Sequence, residues 1–351
     1  MVRSRACLAL LAAVVVPSVV ACTATVTPLD LSGTGSQQPG PTIGEPAPPS
    51  STTPPTTTPP AKVVFGYTTV PLPAANVSIE AISGSSASDV WVVGSESGST
   101  SSSPWIAYHY DGSSWTSTPL STTKGRPSFG LATLGSGGVY MGFSYAADIY
   151  QLNGSSFTKK TSFSVTSGYT MATVGSKIFI GTQENFGAGP LYTYDGASAK
   201  QIQTTEGMGG VSAIWGSSET DVWLARSSSL GHLVNGTYDD EETGIYYDVH
   251  GTAKDDVWAV TKTGVRHYDG SSWKDITFPG GSSDSPRTIT ALSKDEVIVT
   301  TYSNVYRWDG SAFVKESRTG APTSVGKVGR IGKNEVWLAS TKEIGRLAPT
   351  K

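Results

Sequence analysis

Seven short apolar runs, each centred on one bulky side chain, recur along the chain at nearly even intervals. Four are close copies: SDVWVVG from Ser88, TDVWLAR from Thr220, DDVWAVT from Asp255 and NEVWLAS from Asn334. Three are looser: GGVYMGF from Gly137, SKIFIGT from Ser176 and DEVIVTT from Asp295. Their central residues, Trp91, Tyr140, Phe179, Trp223, Trp258, Ile298 and Trp337, lie 49, 39, 44, 35, 40 and 39 residues apart. A period near 40 residues made of short β-rich segments is what a four-stranded propeller blade needs, since one blade cannot bury its faces without a neighbour. The fold expected is all-β, a seven-bladed β-propeller.

A second phrase follows most of these runs. HYDGSSWTSTP from His109 returns as HYDGSSWKDIT from His267, with softer versions QLNGSSFTKKT from Gln151, YTYDGASAKQI from Tyr192 and YRWDGSAFVKE from Tyr306. One whole unit is legible: YYDVHGT from Tyr246, VWAVT from Val257, VRHYD from Val265 and WKDITF from Trp273 read as strands A to D. The Asp-Gly pair between the third and fourth is expected to supply the positive φ angles of a tight hairpin. The last unit stops after three strands. The segment AKVVFGYTTVPLP, 61–73, resembles SSWTSTPL from Ser113 and is expected to complete that unit, with Phe65 at the fourth-strand aromatic position. Such closure removes open sheet edges. Trp91, Trp223, Trp258 and Trp337 are expected in the cores between sheets, and Trp115 and Trp273 nearer the outer edge.

The N-terminus has another character. Arg3 and Arg5 precede an apolar run, Ala6 to Val20, too short to span a bilayer comfortably, and the pattern reads as an export signal. It ends in VVAC, Val19 to Cys22, which resembles the lipobox of bacterial lipoproteins; an ordinary secretory signal with a chance cysteine is the other reading. On the first reading residues 1–21 are removed and Cys22 is lipidated, anchoring the protein to a membrane. Thr23 follows it rather than the Asp that retains some lipoproteins at the inner membrane, so outer-membrane or surface placement is favoured. Cys7 falls inside the signal, so the exported chain is left no disulfide or thiolate metal site. Residues 22–61, with PPSSTTPPTTTPP at the centre, have too little apolar surface to fold and are expected to be a disordered tether to a propeller over 62–351.

Net charge is −3 with basic residues scattered, so a nucleic-acid partner is not expected. The stretch DVWAVTKTGVRHYDGSSWKDI, from Asp256, is similar to a tectonin-type propeller repeat and, more loosely, to the kelch-like repeats of exported bacterial proteins. Kelch repeats carry a glycine pair closing the second strand, where this chain has VVGS, LARS, AVTK and LAST. The tectonin resemblance implies recognition of glycans or lipopolysaccharide. The matching residues are scaffold residues, so no ligand-binding position carries over individually.

Propellers bind through the loops joining successive blades, the loops between second and third strands, and the channel mouth. Trp105, Phe129, Tyr145, Tyr169, Phe186 and Tyr247, with Arg226 and Arg287, stand at such places and are the candidate ligand-binding residues. Aromatic faces there suit sugar rings; capping of the channel is the alternative role. The acidic run YDDEET, Tyr238 to Thr243, lacks the spaced ladder of a calcium loop and is expected to be a solvated loop. His109, His232, His250 and His267 fall in separate units and cannot share one metal ion. No nucleophile-and-base pair, metal set or cofactor fingerprint stands out. The expectation is a non-catalytic envelope lipoprotein binding a glycan or other surface ligand, without cofactor; an interaction scaffold for an envelope protein, or an exported hydrolase or lyase, are the alternatives.

Overall fold

The structure, a computed structural model, describes residues 63–96, 105–120, 130–135, 138–143, 148–153, 156–165, 167–184, 187–202 and 210–350. The chain divides into two units, Met1–Pro59 and Pro60–Lys351. The signal, Cys22 and the tether lie outside the described residues.

All the regular structure described is β. The first strands are β1 (Phe65–Val70), β2 (Val77–Ser86), β3 (Asp89–Glu96), β4 (Trp105–Tyr110) and β5 (Trp115–Leu120). A four-stranded sheet follows in β6 (Gly130–Leu134), β7 (Gly138–Phe143), β8 (Asp148–Asn153) and β9 (Ser156–Ser162). The next is β10 (Ser167–Val174), β11 (Lys177–Glu184), β12 (Gly187–Tyr194) and β13 (Ala199–Ile202). Then come β14 (Val211–Ser218), β15 (Asp221–Arg226), β16 (Ser229–Val234) and β17 (Thr237–Thr243). The unit legible in the sequence is β18 (Tyr246–Ala253), β19 (Asp256–Thr261), β20 (Val265–Tyr268) and β21 (Trp273–Ile276). β22 (Thr288–Ser293), β23 (Glu296–Thr300), β24 (Val305–Trp308) and β25 (Phe313–Lys315) make another, and β26 (Lys327–Ile331), β27 (Glu335–Ala339) and β28 (Ile344–Pro349) end the chain. Neighbours within each four-stranded sheet are antiparallel meanders, the arrangement of propeller blades.

One sheet differs, with eight strands in the order β1-β28-β27-β26-β2-β3-β4-β5. Its halves meet through a single parallel bridge, Gly84 to Ile331. β1 lies antiparallel to β28, Phe65 opposite Pro349 and Val70 opposite Ile344.

Second strands are buried along most of their length, as in DVWAVT of β19 and EVIVT of β23, because both faces of a sheet are covered by neighbours. Outer strands are mostly exposed instead: Phe157 and Thr161 of β9, and Tyr238 and Glu242 of β17, are half-buried and the rest of both strands faces solvent. Six of the seven hydrophobic clusters join two sheets, and the seventh joins the two halves of the eight-stranded sheet. Trp258, Val260 and Val265 meet Ile289, Val297 and Val299, and Trp223 and Leu230 meet Tyr246, Val249 and Val257. Trp223, Trp258 and Trp337 are at most 2 % exposed, whereas Trp91 is half-buried.

The repeated acidic residue and tryptophan have a shared use that the spacing does not reveal. In β19 the Asp256 carboxylate accepts the Trp258 indole N–H (3.1 Å) and the His267 Nε2–H (2.8 Å), and the histidine ring stacks on the tryptophan at 4.0 Å. Thr252 donates its hydroxyl to the same carboxylate. It occupies the extra position of a β-bulge between Gly251 and Ala253, which turns it toward the carboxylate. Asp89, with Trp91, His109 and Ser85, repeats the arrangement. Asp221, His232 and Ser217 repeat it too, with His232 stacked on Trp223, although the Trp223 indole N–H has no partner among the described residues. In the last unit Glu335 replaces the aspartate and Arg346 the histidine. Burial pushes the Asp89 and Asp256 carboxyls up, but the hydrogen bonds donated to them outweigh it and hold both below the usual carboxylate range. Three of the four histidines are thus structural partners of a tryptophan.

The YDGSSW hairpins also differ from the expected turn. Only the glycine is left-handed: Gly112, Gly196, Gly270 and Gly310 have φ of 98°, 95°, 92° and 103°, and no aspartate of these turns has a positive φ. The aspartate acts as an acceptor. Asp269 Oδ1 takes the backbone N–H of Ser271 and Ser272, both at 3.0 Å, and Asp111, Asp195 and Asp309 do the same two and three residues on. Binding the charged form lowers these carboxyls. For Asp309 the N–H of Ala312 is the largest cause, followed by that of Ser311, and its pKa falls to about 2.

Asp256→Ala strips Trp258 and His267 of their acceptor and is expected to destabilise the fold by about 2 kcal/mol in denaturant unfolding, with the exposed Asp255→Ala as a near-neutral control. Asp309 has a folded-state pKa below its unfolded value of about 3.9, so its contribution is complete above that value and is lost as pH falls through about 2. A carboxyl-carbon NMR titration finding Asp309 near an unperturbed pKa contradicts this.

Candidate functional site

Bulges at the start of the first strands set the geometry of one end of the sheets. Tyr247 is the extra residue between Tyr246 and Asp248, Tyr169 that between Gly168 and Thr170, Glu80 that between Ile79 and Ala81, and Ser212 that between Val211 and Ala213. Arg287 stands at the same register, directly before Thr288 of β22, and its own N–H bonds to Thr300 O at 2.8 Å. Tyr169, Tyr247 and Arg287 are therefore equivalent positions of three inner strands.

Tyr247 and Arg287 are brought together around a third residue. The Arg287 guanidinium lies 4.0 Å from the Tyr302 ring centre and 5.9 Å from that of Tyr247, and Arg287 Nη1 donates to the Tyr302 hydroxyl. Tyr302, in the turn between β23 and β24, is 74 % exposed, the most exposed large apolar side chain among the described residues. Tyr247 is half-buried against the Trp258–Phe313 cluster. The loop before Arg287 is fastened by Asp284, which accepts from Asn304 Nδ2 and the Tyr306 hydroxyl, both at 2.7 Å. Burial raises the Asp284 carboxyl, but hydrogen bonds from Thr301, Tyr306 and Asn304 hold it below the usual range. The result is a firmly based arginine between two tyrosine faces. It offers flat apolar surface for stacking beside directional N–H donors. Tyr302 escapes a motif search because a lone aromatic in a Thr-Tyr-Ser-Asn turn belongs to no repeat; its signal was only an apolar residue where turns favour polar ones.

The remaining candidates separate. Arg226 is 1 % exposed and faces its own sheet, bonding to Ser229 (2.9 Å), Asp240 (2.8 Å) and the Tyr238 hydroxyl. This correction has a simple cause: a desolvated guanidinium needs a carboxylate, and β17 supplies it. The acidic run is likewise no loop. It is strand β17, whose Asp240 meets Arg226, Glu241 meets His232 and Glu242 meets Arg266. Trp105 opens β4 and packs, half-buried, on the cluster of Val93, Leu120, Leu131 and Met141. Phe129, Tyr145 and Phe186 lie outside the described residues, as does the side chain of Tyr169.

The inner strands also enclose a cavity of about 850 Å³, lined by β2, β6, β10, β14, β18, β22 and β26. Beside it Arg330 of β26 reaches two other sheets, bonding Thr290 Oγ1 (3.2 Å), Ile289 O (2.6 Å) and Asp248 Oδ2 (2.5 Å). Asp248 is 4 % exposed; burial raises its pKa while Arg330 pulls it back.

The chain resembles solved propellers. Virginiamycin B lyase from Staphylococcus aureus, in a catalytically inactive form with quinupristin, superposes with a TM-score of 0.61 at 15 % identity, over 82 % of this chain and 100 % of that one. YCF48 bound to D1 peptide gives 0.61 at 14 %, over 81 % and 96 %. The extracellular domain of the one-component system BT4673 from B. thetaiotaomicron gives 0.58 at 14 %, over 80 % of this chain and 39 % of the longer protein. No protein-family model and no curated protein matches the sequence. At these identities the likeness shows the β-propeller fold alone.

The two arginines are expected to part company on substitution. Arg226→Met removes the buried guanidinium's bonds to Ser229, Tyr238 and Asp240 and is expected to cost about 1.5 kcal/mol in chemical unfolding. Arg287→Met is expected to stay within about 0.5 kcal/mol of the parent. Equal losses contradict these assignments.

Proposed function

We propose that this is a non-catalytic binding protein of the cell envelope, a seven-bladed propeller that holds a glycan against the Tyr302 face. The eight-stranded sheet reads as the first and last blades, the last completed by β1. Seven hydrophobic clusters, each shared by two neighbouring blades, support that count. The VVAC sequence at Cys22 supports lipid anchoring, and the Pro/Thr tract supports a tether carrying the propeller away from an outer membrane or surface. The extracellular sensor domain among the structural neighbours is in keeping with export.

The single observation that carries the ligand class is the Tyr247–Arg287–Tyr302 cluster. Pyranose rings present an apolar face to stack on an aromatic and hydroxyls to accept from a guanidinium. The tectonin-like repeat points the same way. A protein-interaction role is the second reading, favoured by the peptide bound to the similar propeller YCF48. An exported lyase or hydrolase is the third, since a lyase is among the neighbours.

A glycan array probed with the full chain tests this. Defined glycans are expected to bind, Tyr302→Ala to weaken them at least tenfold, and Tyr302→Phe to keep most of the affinity. A silent array, or binding that ignores Tyr302→Ala, overturns the reading.

A further inference from the structure

The ring of residues facing the central residue of each second strand is uneven. Ser83, Ala132, Ala172, Thr290 and Gly329 are small, but Trp215 and His250 occupy the two adjacent places on β14 and β18. One step along, the residues are Gly84, Thr133, Thr173, Gly216, Gly251 and Ala291, and then Arg330. Three large nitrogen-bearing side chains thus crowd one side of a cavity whose other side is small and hydroxylated. The scaffold makes room for them: a Cβ at Gly251 would lie 2.7 Å from Cη2 of Trp215.

All three present donors without acceptors among the described residues. His250 Nδ1 accepts the Ala291 N–H at 3.2 Å, which fixes the other tautomer and leaves Nε2–H as a donor. Burial first, and then the Arg330 charge, hold this imidazole neutral at ordinary pH. Its ring is 5.9 Å from that of Trp215, whose indole N–H makes no hydrogen bond within the described protein. Arg330 uses Nε and Nη2 on Thr290, Ile289 and Asp248, and leaves Nη1. The charged residues lining the cavity are Glu80, Lys327, Arg330 and Lys333; Glu80 pairs with Lys327 at 3.4 Å and Asp248 with Arg330. Lys333 remains, giving the space a slight excess of positive charge.

We infer that the cavity beside Trp215, His250 and Arg330 is a second binding site, distinct from the Tyr302 face, for a small aromatic carboxylate. The ring stacks on Trp215, and the carboxylate accepts from His250 Nε2 and Arg330 Nη1. A volume of about 850 Å³ holds a molecule of this size with ordered water.

Indole ¹⁵N–¹H NMR of the full chain, titrated with benzoate, indole-3-acetate, the matched amides and acetate, tests the site. The aromatic carboxylates are expected to shift the Trp215 indole signal with saturable curves. The amides and acetate are expected to bind at least tenfold more weakly. Trp215→Leu and His250→Phe are each expected to weaken binding about tenfold. Arg330→Met strands Asp248, so Arg330→Met/Asp248→Asn is the variant to use, with folding checked by the remaining indole signals. Tyr302→Ala is expected to change nothing, which separates this site from glycan binding. A Trp215 signal that never moves, equal response to amides, or loss of binding in Tyr302→Ala alone overturns the inference.

Discussion

Every sheet in this molecule has two faces that must leave water, and no sheet has enough apolar surface to cover both by itself. Stacking each against the next removes both, and the second strand, in the middle of that sandwich, becomes the most buried element. Its composition follows: Val257, Ala259 and Val260 in one sheet and Val297, Ile298 and Val299 in another are at most 1 % exposed. A buried strand has no free polar surface, so its one carboxylate has to be matched inside the fold. The Asp256 arrangement does this by drawing a hydroxyl from the first strand, an indole from its own and an imidazole from the third. Three strands of a sheet are thereby tied by side chains as well as by the backbone ladder.

The division of labour between repeat and exception is then visible. Residues that recur do structural work: the tryptophans, their aspartates and histidines, and the turn aspartates. Residues that break the pattern gather where function is proposed. Ile298 replaces the aromatic, and in the same sheet Glu296 turns to Arg318 instead of an indole. That sheet also carries Arg287 and Tyr302. Trp215 and Arg330 are similarly large where their counterparts are small.

Much of the architecture was legible in the sequence because it is periodic. The four strands of the Tyr246–Ile276 sheet lie where the alternation and turn residues put them, and Phe65 opens the strand predicted after the tether. What was not legible is what depends on partners remote in sequence. Arg226 looked like a free surface cation because Asp240 is fourteen positions away and the acidic run resembled a loop; strand pairing of Gly231 with Asp240 brings the carboxylate to it. The tryptophan partners of His109, His232 and His267 were not legible because stacking between adjacent strands leaves no mark on spacing. Of the candidate residues, Tyr247 and Arg287 lie together in the structure, and Tyr302, which joins them, was not among the candidates.

The indole of Trp215 rests where Gly251, in the neighbouring sheet, has no side chain. The two positions are 36 apart in the chain, yet neither can drift alone. Enlarging residue 251 evicts the ring, and shrinking residue 215 opens a void that a larger neighbour would then fill. Descendants of this chain should therefore fall into two lineages, one keeping the ring with the bare backbone and the other having lost both, with few intermediates between them.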